Sequence, residues 1–251
     1  MSDQRIKEAV RRTYGQIAVQ MSSCCGPKCG CGTESGVADN IVVNDRYDNT
    51  DPSIRETADL GLGCGTPAEF ADLRPGLTVL DLGSGAGIDV FLAAKEVGPA
   101  GRVIGVDMTP EMITRAEKNR KKLGAYNTEF LRGELESLPV DSETVDRILS
   151  NCVINLVPDK RVAFREMYRV LKPGGKFAVS DIVSLGTIPQ SIRSDMAEWA
   201  GCVAGAVERE EYLRIVREAG FTEVKVVRER TSQPDGNHPF SLQSITVTGT
   251  K

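Results

Sequence analysis

Histidine is nearly missing from this chain of 251 residues: His238 stands alone, in the turn-like stretch Gly236-Asn237-His238-Pro239 near the C-terminus. Any side-chain general base is therefore expected to be an Asp or a Glu. A surplus of positive charge is lacking as well. The 31 Lys and Arg face 35 Asp and Glu, a net charge of −4, which recommends no basic surface for nucleic acid or an anionic membrane. No apolar run approaches the length of a bilayer crossing. Met1 to Gln20 carries charges throughout and has no apolar signal core. These absences predict a cytoplasmic protein with no nucleic-acid and no membrane partner. Internal repeats and low-complexity linkers are absent too. What is there, 40% hydrophobic and 26% charged residues in a chain of this length, suits one folded domain with a sizeable core, or one domain plus a small appendage. Disulfides are rare in a reducing compartment, so the seven cysteines need another explanation.

Ile6, Val10, Tyr14 and Ile17 recur at helical spacing and predict an amphipathic first helix. Residues 22–52, rich in Gly, Cys, Asp and Asn and without periodicity, read as an irregular lid or loop. In Thr66-Pro67-Ala68-Glu69 a capping hydroxyl, a first-turn proline and a capping-box acid predict a helix start, and Thr109-Pro110 predicts another by the same chemistry. From Leu77 onward strands are expected near 77–82, 102–107, 127–131, 145–150 and 176–183, with helices near 87–97, 110–123 and 159–171. Such alternation implies a parallel sheet covered by helices on both faces. Two more helices, about 190–204 and 208–219, lead to strands near 222–229 and 243–249.

The most informative stretch is Val79-Leu80-Asp81-Leu82-Gly83-Ser84-Gly85-Ala86-Gly87. A buried strand ends in an acid and turns into a helix through glycines that let a ligand lie against bare backbone. A second acid, Asp107, follows the apolar run Val103-Ile104-Gly105-Val106 at a distance of 20 residues from Gly87, which suits hydrogen bonds to a ribose. A dinucleotide fingerprint would want Gly or Ala where Ile88 stands. Asp81 would repel a pyrophosphate and favours a cationic ligand such as the sulfonium of S-adenosylmethionine.

Asp-Leu-Gly-Ser-Gly-Ala-Gly resembles motif I of the class I S-adenosylmethionine-dependent methyltransferases, and Leu171-Lys172-Pro173-Gly174-Gly175 resembles the turn before their fifth strand. The resemblance implies an α/β fold: a doubly wound, mostly parallel, seven-stranded Rossmann-like sheet with an antiparallel last strand. It implies a cofactor lying across the carboxyl ends of strands one and two. Asp81 would serve the methionine end, with Gly83, Ser84, Gly85 and Gly87 giving close backbone approach. Asp107 would hold the ribose and Met108 would lie beside adenine. Arg132-Gly133-Glu134-Leu135-Glu136-Ser137-Leu138-Pro139 is similar to the family's Gly-Asp-Ala-x-x-Leu-Pro stretch, which puts Glu134 and Leu135 at the adenine. Glu134 is one methylene longer than the family's acid. Asn151, ending strand four, is expected on the methionine side.

Four cysteines crowd into Ser23-Cys24-Cys25-Gly26-Pro27-Lys28-Cys29-Gly30-Cys31; Cys64, Cys152 and Cys202 are dispersed. Cys152 falls at a strand's carboxyl end, where open α/β sheets bind substrates. Cys64, flanked by glycines, is expected to be exposed rather than packed in a core. Thiolates are soft ligands that select thiophilic centres, and three of them could cage a trivalent arsenic while leaving its lone pair free. The contexts Gly-Leu-Gly-Cys-Gly-Thr-Pro, Ser-Asn-Cys-Val-Ile-Asn-Leu and Ala-Gly-Cys-Val-Ala-Gly-Ala resemble the arsenite S-adenosylmethionine methyltransferases, over nearly the whole chain.

That resemblance implies that Cys152 and Cys202 hold arsenic through the reaction. Cys64 would be a third ligand or the thiol that attacks the product, forming a transient disulfide. A further family cysteine lies upstream, with Cys24 or Cys25 as the nearest candidates. Leu62 stands where several relatives have an aromatic residue. The implied partners are arsenite or its thiol conjugates, S-adenosylmethionine, and a thiol reductant such as glutathione or thioredoxin. Residues 1–60 would form the N-terminal helix and Cys-rich lid, and 61–251 the cofactor-binding domain with arsenic-binding insertions. An arsenic lone pair carries no proton, so the scarcity of histidine fits this substrate better than a hydroxyl. The Cys24–Cys31 cluster reads either as a zinc site or as a thiol loop that delivers the metalloid. Two rival readings are a C- or O-methyltransferase of the quinone-biosynthesis type and a thiol-rich sequestering protein. The first leaves the dispersed cysteines unexplained, and the second leaves the glycine motif unexplained.

Overall fold

The computed structural model describes residues 2–20, 47, 50–231 and 240–251, so Cys24, Cys25, Cys29, Cys31 and His238 lie outside the described residues, as does most of the expected lid. Five strands run parallel: β1 (Thr78–Leu82), β2 (Arg102–Asp107), β3 (Thr128–Arg132), β4 (Val145–Asn151) and β5 (Leu171–Leu185). β6 (Thr222–Thr231) and β7 (Ser241–Thr250) complete one sheet in the order β3-β2-β1-β4-β5-β7-β6, with β7 antiparallel to both of its neighbours. The expected seven-stranded, doubly wound architecture is the one observed.

Side-chain alternation along the central strands explains the layering. Val79 and Val103 face one core with Val90, Phe91 and Ala94 of α3 (Ile88–Val97) and Ala116 of α4 (Pro110–Leu123). Leu80, Leu82, Ile104 and Val106 face the other, against Phe164 and Met167 of α5 (Lys160–Val170) and Tyr212 and Val216 of α8 (Arg209–Glu218). Strands buried on both faces must be apolar throughout, apart from residues with a task. Asp81 in β1 and Asp181 in β5 are such exceptions, at 3% and 0% exposure.

α1 (Asp3–Gln20) presents Ile6 and Val10 to a third apolar cluster at the carboxyl edge of the sheet, and α2 (Pro52–Ala58) packs beside α3. Among the described residues no helix is long and apolar enough to cross a membrane.

Three expectations need correction. The helix expected over 190–204 is two short ones, α6 (Gln190–Arg193) and α7 (Met196–Ala200). Asp195 restarts the chain by accepting from the N–H groups of Ala197 and Glu198, and the helix ends at Gly201, so Cys202 sits in a turn. Thr66 opens only a 3-10 turn, Pro67–Phe70, and its hydroxyl does not cap it. Thr66 and Glu69 instead grip the Arg228 guanidinium at 2.9 and 3.0 Å. Thr109 likewise makes no side-chain cap for α4; the Asp107 carboxylate takes the Thr109 N–H at 2.8 Å, and Pro110 fills the first helical position as expected.

Candidate active site

The end of β1 turns through three left-handed glycines, Gly83, Gly85 and Gly87. At Gly87 a Cβ would press on Phe91 and Phe130 at 2.7 and 2.9 Å, so glycine lets α3 start close to the sheet. At Gly85 the nearest atom a Cβ would meet is Met112 Sδ at 4.0 Å, which leaves that face open to a ligand. Asp107 ties this turn to β2, one carboxylate oxygen accepting from Gly85 N–H at 2.9 Å and the other from Thr109 N–H at 2.8 Å. Each oxygen keeps a lone pair for a ribose hydroxyl.

Beside the turn lies an open cavity of about 1050 Å³, solvent at its mouth included. Asp81, Gly83, Ser84, Gly85, Asp107, Met108, Glu134, Leu135 and Asn151 all line it, whereas Gly87 stands behind the wall. Cys152 forms part of the same lining. Glu134 stays at the mouth, where Lys7 of α1 donates to it at 2.8 Å and Arg11 at 3.3 Å; Lys7 also reaches Glu136 at 2.9 Å.

Six acids line this cavity, Asp59, Asp81, Asp89, Asp107, Glu134 and Glu136, against one base, Lys7. Burial pushes the Asp81 carboxyl well above the usual carboxylate range, and the neighbouring Asp89 and Asp107 push it further. Asp89 is raised to about 6 by burial, against hydrogen bonds from Tyr47 and Asn151. A cationic ligand would relieve this crowding. Two buried atoms of lining residues, Ser84 Oγ and Asp89 Oδ1, have no hydrogen-bond partner among the described residues. The residues present therefore fit S-adenosylmethionine.

Asn151 does more than face this cavity. Its amide donates to Gly65 O at 2.7 Å and to the Tyr47 hydroxyl at 2.8 Å, while its carbonyl accepts from Cys64 N–H at 3.0 Å. Tyr47 in turn donates to Asp89 at 2.7 Å. Tyr47 and Asp89 were invisible in the sequence. A tyrosine in a polar loop carries no pattern, and an acid in the first turn of a helix reads as an ordinary dipole partner.

The three dispersed cysteines share the apolar cluster under α1, and of the three Cys152 lines the cavity. Cys64 is 1% exposed, contrary to the expectation from its flanking glycines. Those glycines serve close packing instead: a Cβ on Gly65 would collide with Ser180, and the Cys64 carbonyl accepts from Ser244 Oγ at 2.6 Å. Cys64 and Cys152 are joined as a disulfide with Cα atoms 5.7 Å apart. Cys202 is the free thiol among the described residues, its Sγ 3.9 Å from Cys152 O and 3.9 Å from the Tyr14 hydroxyl. Burial pushes that thiol up to about 11, against a hydrogen bond from Asn155. Cys152 and Cys202 both occupy the left-handed region, at φ 58° and 65°. Each such non-glycine residue costs roughly 1–3 kcal/mol, strain that concentrates at functional sites. Among the described residues no group of three or more His, Cys, Asp or Glu is placed to hold a metal ion.

Known proteins resemble this chain in sequence and fold. A methyltransferase-domain model matches residues 73–220. A protein of Halobacterium salinarum named arsenite methyltransferase is 46% identical over 231 residues, covering 88% of this chain and 58% of that protein. The crystal structure of an arsenic(III) S-adenosylmethionine methyltransferase from Chlamydomonas reinhardtii superposes with a TM-score of 0.71 at 36% identity, over 84% of this chain and 74% of that one. A human protein named arsenite methyltransferase is 39% identical over 158 residues, 59% of this chain and 42% of that protein. The chain thus spans roughly half the length of the curated relatives it matches. It belongs to the methyltransferase-domain family, and within it to the arsenite S-adenosylmethionine methyltransferases.

Proposed function

We propose that the chain transfers methyl groups from S-adenosylmethionine to trivalent arsenic held as a thiolate complex by Cys64, Cys152 and Cys202, giving methylated arsenicals in the reducing cytoplasm. The observation that carries this reading is the convergence of three thiol-bearing loops beside an acid-lined cavity, with Cys152 belonging to both. Two alternative readings, a hydroxyl or carbon substrate, would leave the gathered sulfurs without a task.

When bound, S-adenosylmethionine supplies a methyl group on a sulfonium, whose C–S bond breaks as the arsenic lone pair forms the As–C bond. Asp81 and Asp89 hold the cationic methionine end, and Asp107 accepts from the ribose hydroxyls. Met108 and Leu135 flank the adenine. Cys24 or Cys25, outside the described residues, is the candidate for a further reaction thiol. Arsenous acid exchanges each hydroxyl for a thiol with loss of water, so the neutral Cys202 thiol binds it with no net release of protons. No side-chain base is needed, since arsenic has no proton to lose. The loops contribute alignment of lone pair, carbon and leaving sulfur.

Methyl addition takes arsenic formally from trivalent to pentavalent. Cys64 and Cys152 supply the two electrons that return it to trivalent by pairing, and two equivalents of a thiol such as glutathione, or one of thioredoxin, reopen the pair. In support of this, Cys64 and Cys152 are paired in the structure, with their Cα atoms 5.7 Å apart. The test is transfer of labelled methyl from the cofactor to arsenite with glutathione present. Labelled methylarsenicals are expected; cofactor binding without any methylarsenical would contradict the reading.

A further inference from the structure

Beneath the thiols lies a buried ionic group that methyl transfer does not use. Lys160, the first residue of α5, is 5% exposed. Its ammonium donates to Asn155 O and Val157 O, each at 3.0 Å, and lies 5.7 Å from the centroid of the Trp199 ring. Burial pushes it down to about 8, while the Asp181 carboxylate pulls the other way. Asp181 accepts from the Tyr212 hydroxyl and Ile182 N–H, both at 3.0 Å, and from the Asn155 backbone N–H. An ammonium in such a place costs several kcal/mol of lost hydration, and a plain core would be served as well by an apolar residue.

These contacts join the two loops that carry Cys152 and Cys202. The 3-10 turn Ile154–Leu156 follows Cys152 almost directly, and Lys160 ties off its last carbonyls. Asn155, fully buried in that turn, donates from its side-chain amide to Cys202 O at 3.1 Å. On the facing loop, Cys202 N–H donates to Trp199 O at 3.1 Å, and Gly205 stands where any Cβ would collide with Asn155 O. Asn155 is thus gripped from one side by the ammonium and grips the Cys202 backbone on the other. Lys160 itself bonds to carbonyls and does not line the cofactor cavity.

We propose that Lys160 is a positioning residue of the arsenic site, setting the spacing between Cys152 and Cys202 through Asn155. The inference rests on the reading of the three thiols as an arsenic cage. Its test compares the reduced full chain with Lys160→Met, Asn155→Ala and the double variant. Arsenic-edge X-ray absorption counts sulfur neighbours, kinetics give KM for arsenite, and calorimetry gives cofactor affinity. Each single variant is expected to lose one sulfur neighbour and raise KM for arsenite about tenfold, with cofactor affinity held, because small misplacements of reacting groups cost factors of this order or more. The double variant should be no worse than the more damaged single one, since both changes cut the same connection. Folded Lys160→Met protein with three sulfurs and an unchanged KM overturns the proposal, as do additive losses. Should Lys160→Met fail to fold, Asn155→Ala decides by the same two readouts. A wild-type protein lacking sulfur coordination would defeat the proposed function instead, and so separates the two failures.

Discussion

The cofactor half and the thiol half of this pocket are built on different principles. The cofactor half hangs on the carboxyl ends of β1 and β2, where Asp81 and Asp107 are successors of buried apolar strands and the glycine turn between them is tied to Val106 O by two N–H groups at 2.8 and 3.0 Å. The thiol half is assembled from three loops, with Cys64 and Cys152 separated by 88 residues in sequence. It accepts two left-handed non-glycine residues, and two of its glycines, Gly65 and Gly205, are needed for loops to touch. A ligand met at strand ends can be held by the sheet itself. A site assembled from loops draws on strain that the rest of the domain supports.

The sharpest way to separate the halves is Cys152→Ser. Methylation of arsenite should fall about a hundredfold or more, because a hard hydroxyl replaces a soft ligand at the shared wall, while cofactor affinity measured by calorimetry stays within about twofold. Full turnover in this variant would remove Cys152 from the site.

A second prediction concerns the acids of the cofactor half. Asp89 is raised to about 6, and Asp81 is raised as well, so the folded protein without ligand holds protons there that the unfolded chain releases near pH 4. Stability from Asp89 is therefore full below pH 4 and is lost as pH rises through about 6, an effect of about 3 kcal/mol at about 1.4 kcal/mol for each unit, and Asp81 acts in the same direction. Thermal unfolding of the ligand-free protein should show it, with a smaller slope in Asp89→Asn. Cofactor binding should have the opposite slope, tightening from pH 5 to 7.5, because a cation favours the ionised carboxylates. A flat or inverted binding profile would mean that these acids do not face the sulfonium end.

The smallest effect is expected at the mouth. Lys7→Ala removes ion pairs to Glu134 and Glu136 that are partly exposed, so stability should drop by about 0.5–1 kcal/mol and cofactor affinity by less than about fivefold. A larger change in affinity would make Lys7 a ligand contact rather than a surface tie.

The two halves also differed in how far residues announced their roles. Strand-end acids and alternating glycines are local features, so the sheet, the turn at Gly83–Gly87 and the place of Asp107 beside that turn were legible from composition and spacing. The convergence of Cys64, Cys152 and Cys202 depends on how distant loops pack, and only the resemblance to arsenite methyltransferases brought them together. The glycines around Cys64 misled: they suggested exposure, but they are there so that the loop can press on Ser180. The helix expected over 190–204 failed because Asp195 was read as a helix residue when it is a cap. Tyr47, Asp89 and Lys160 are of types common on surfaces, and nothing local shows that they are buried.

The account stands or falls on what surrounds arsenic. X-ray absorption at the arsenic edge, on reduced protein loaded with one equivalent of arsenite, should show a first shell of three sulfurs and no oxygen. A shell made only of oxygen would contradict it.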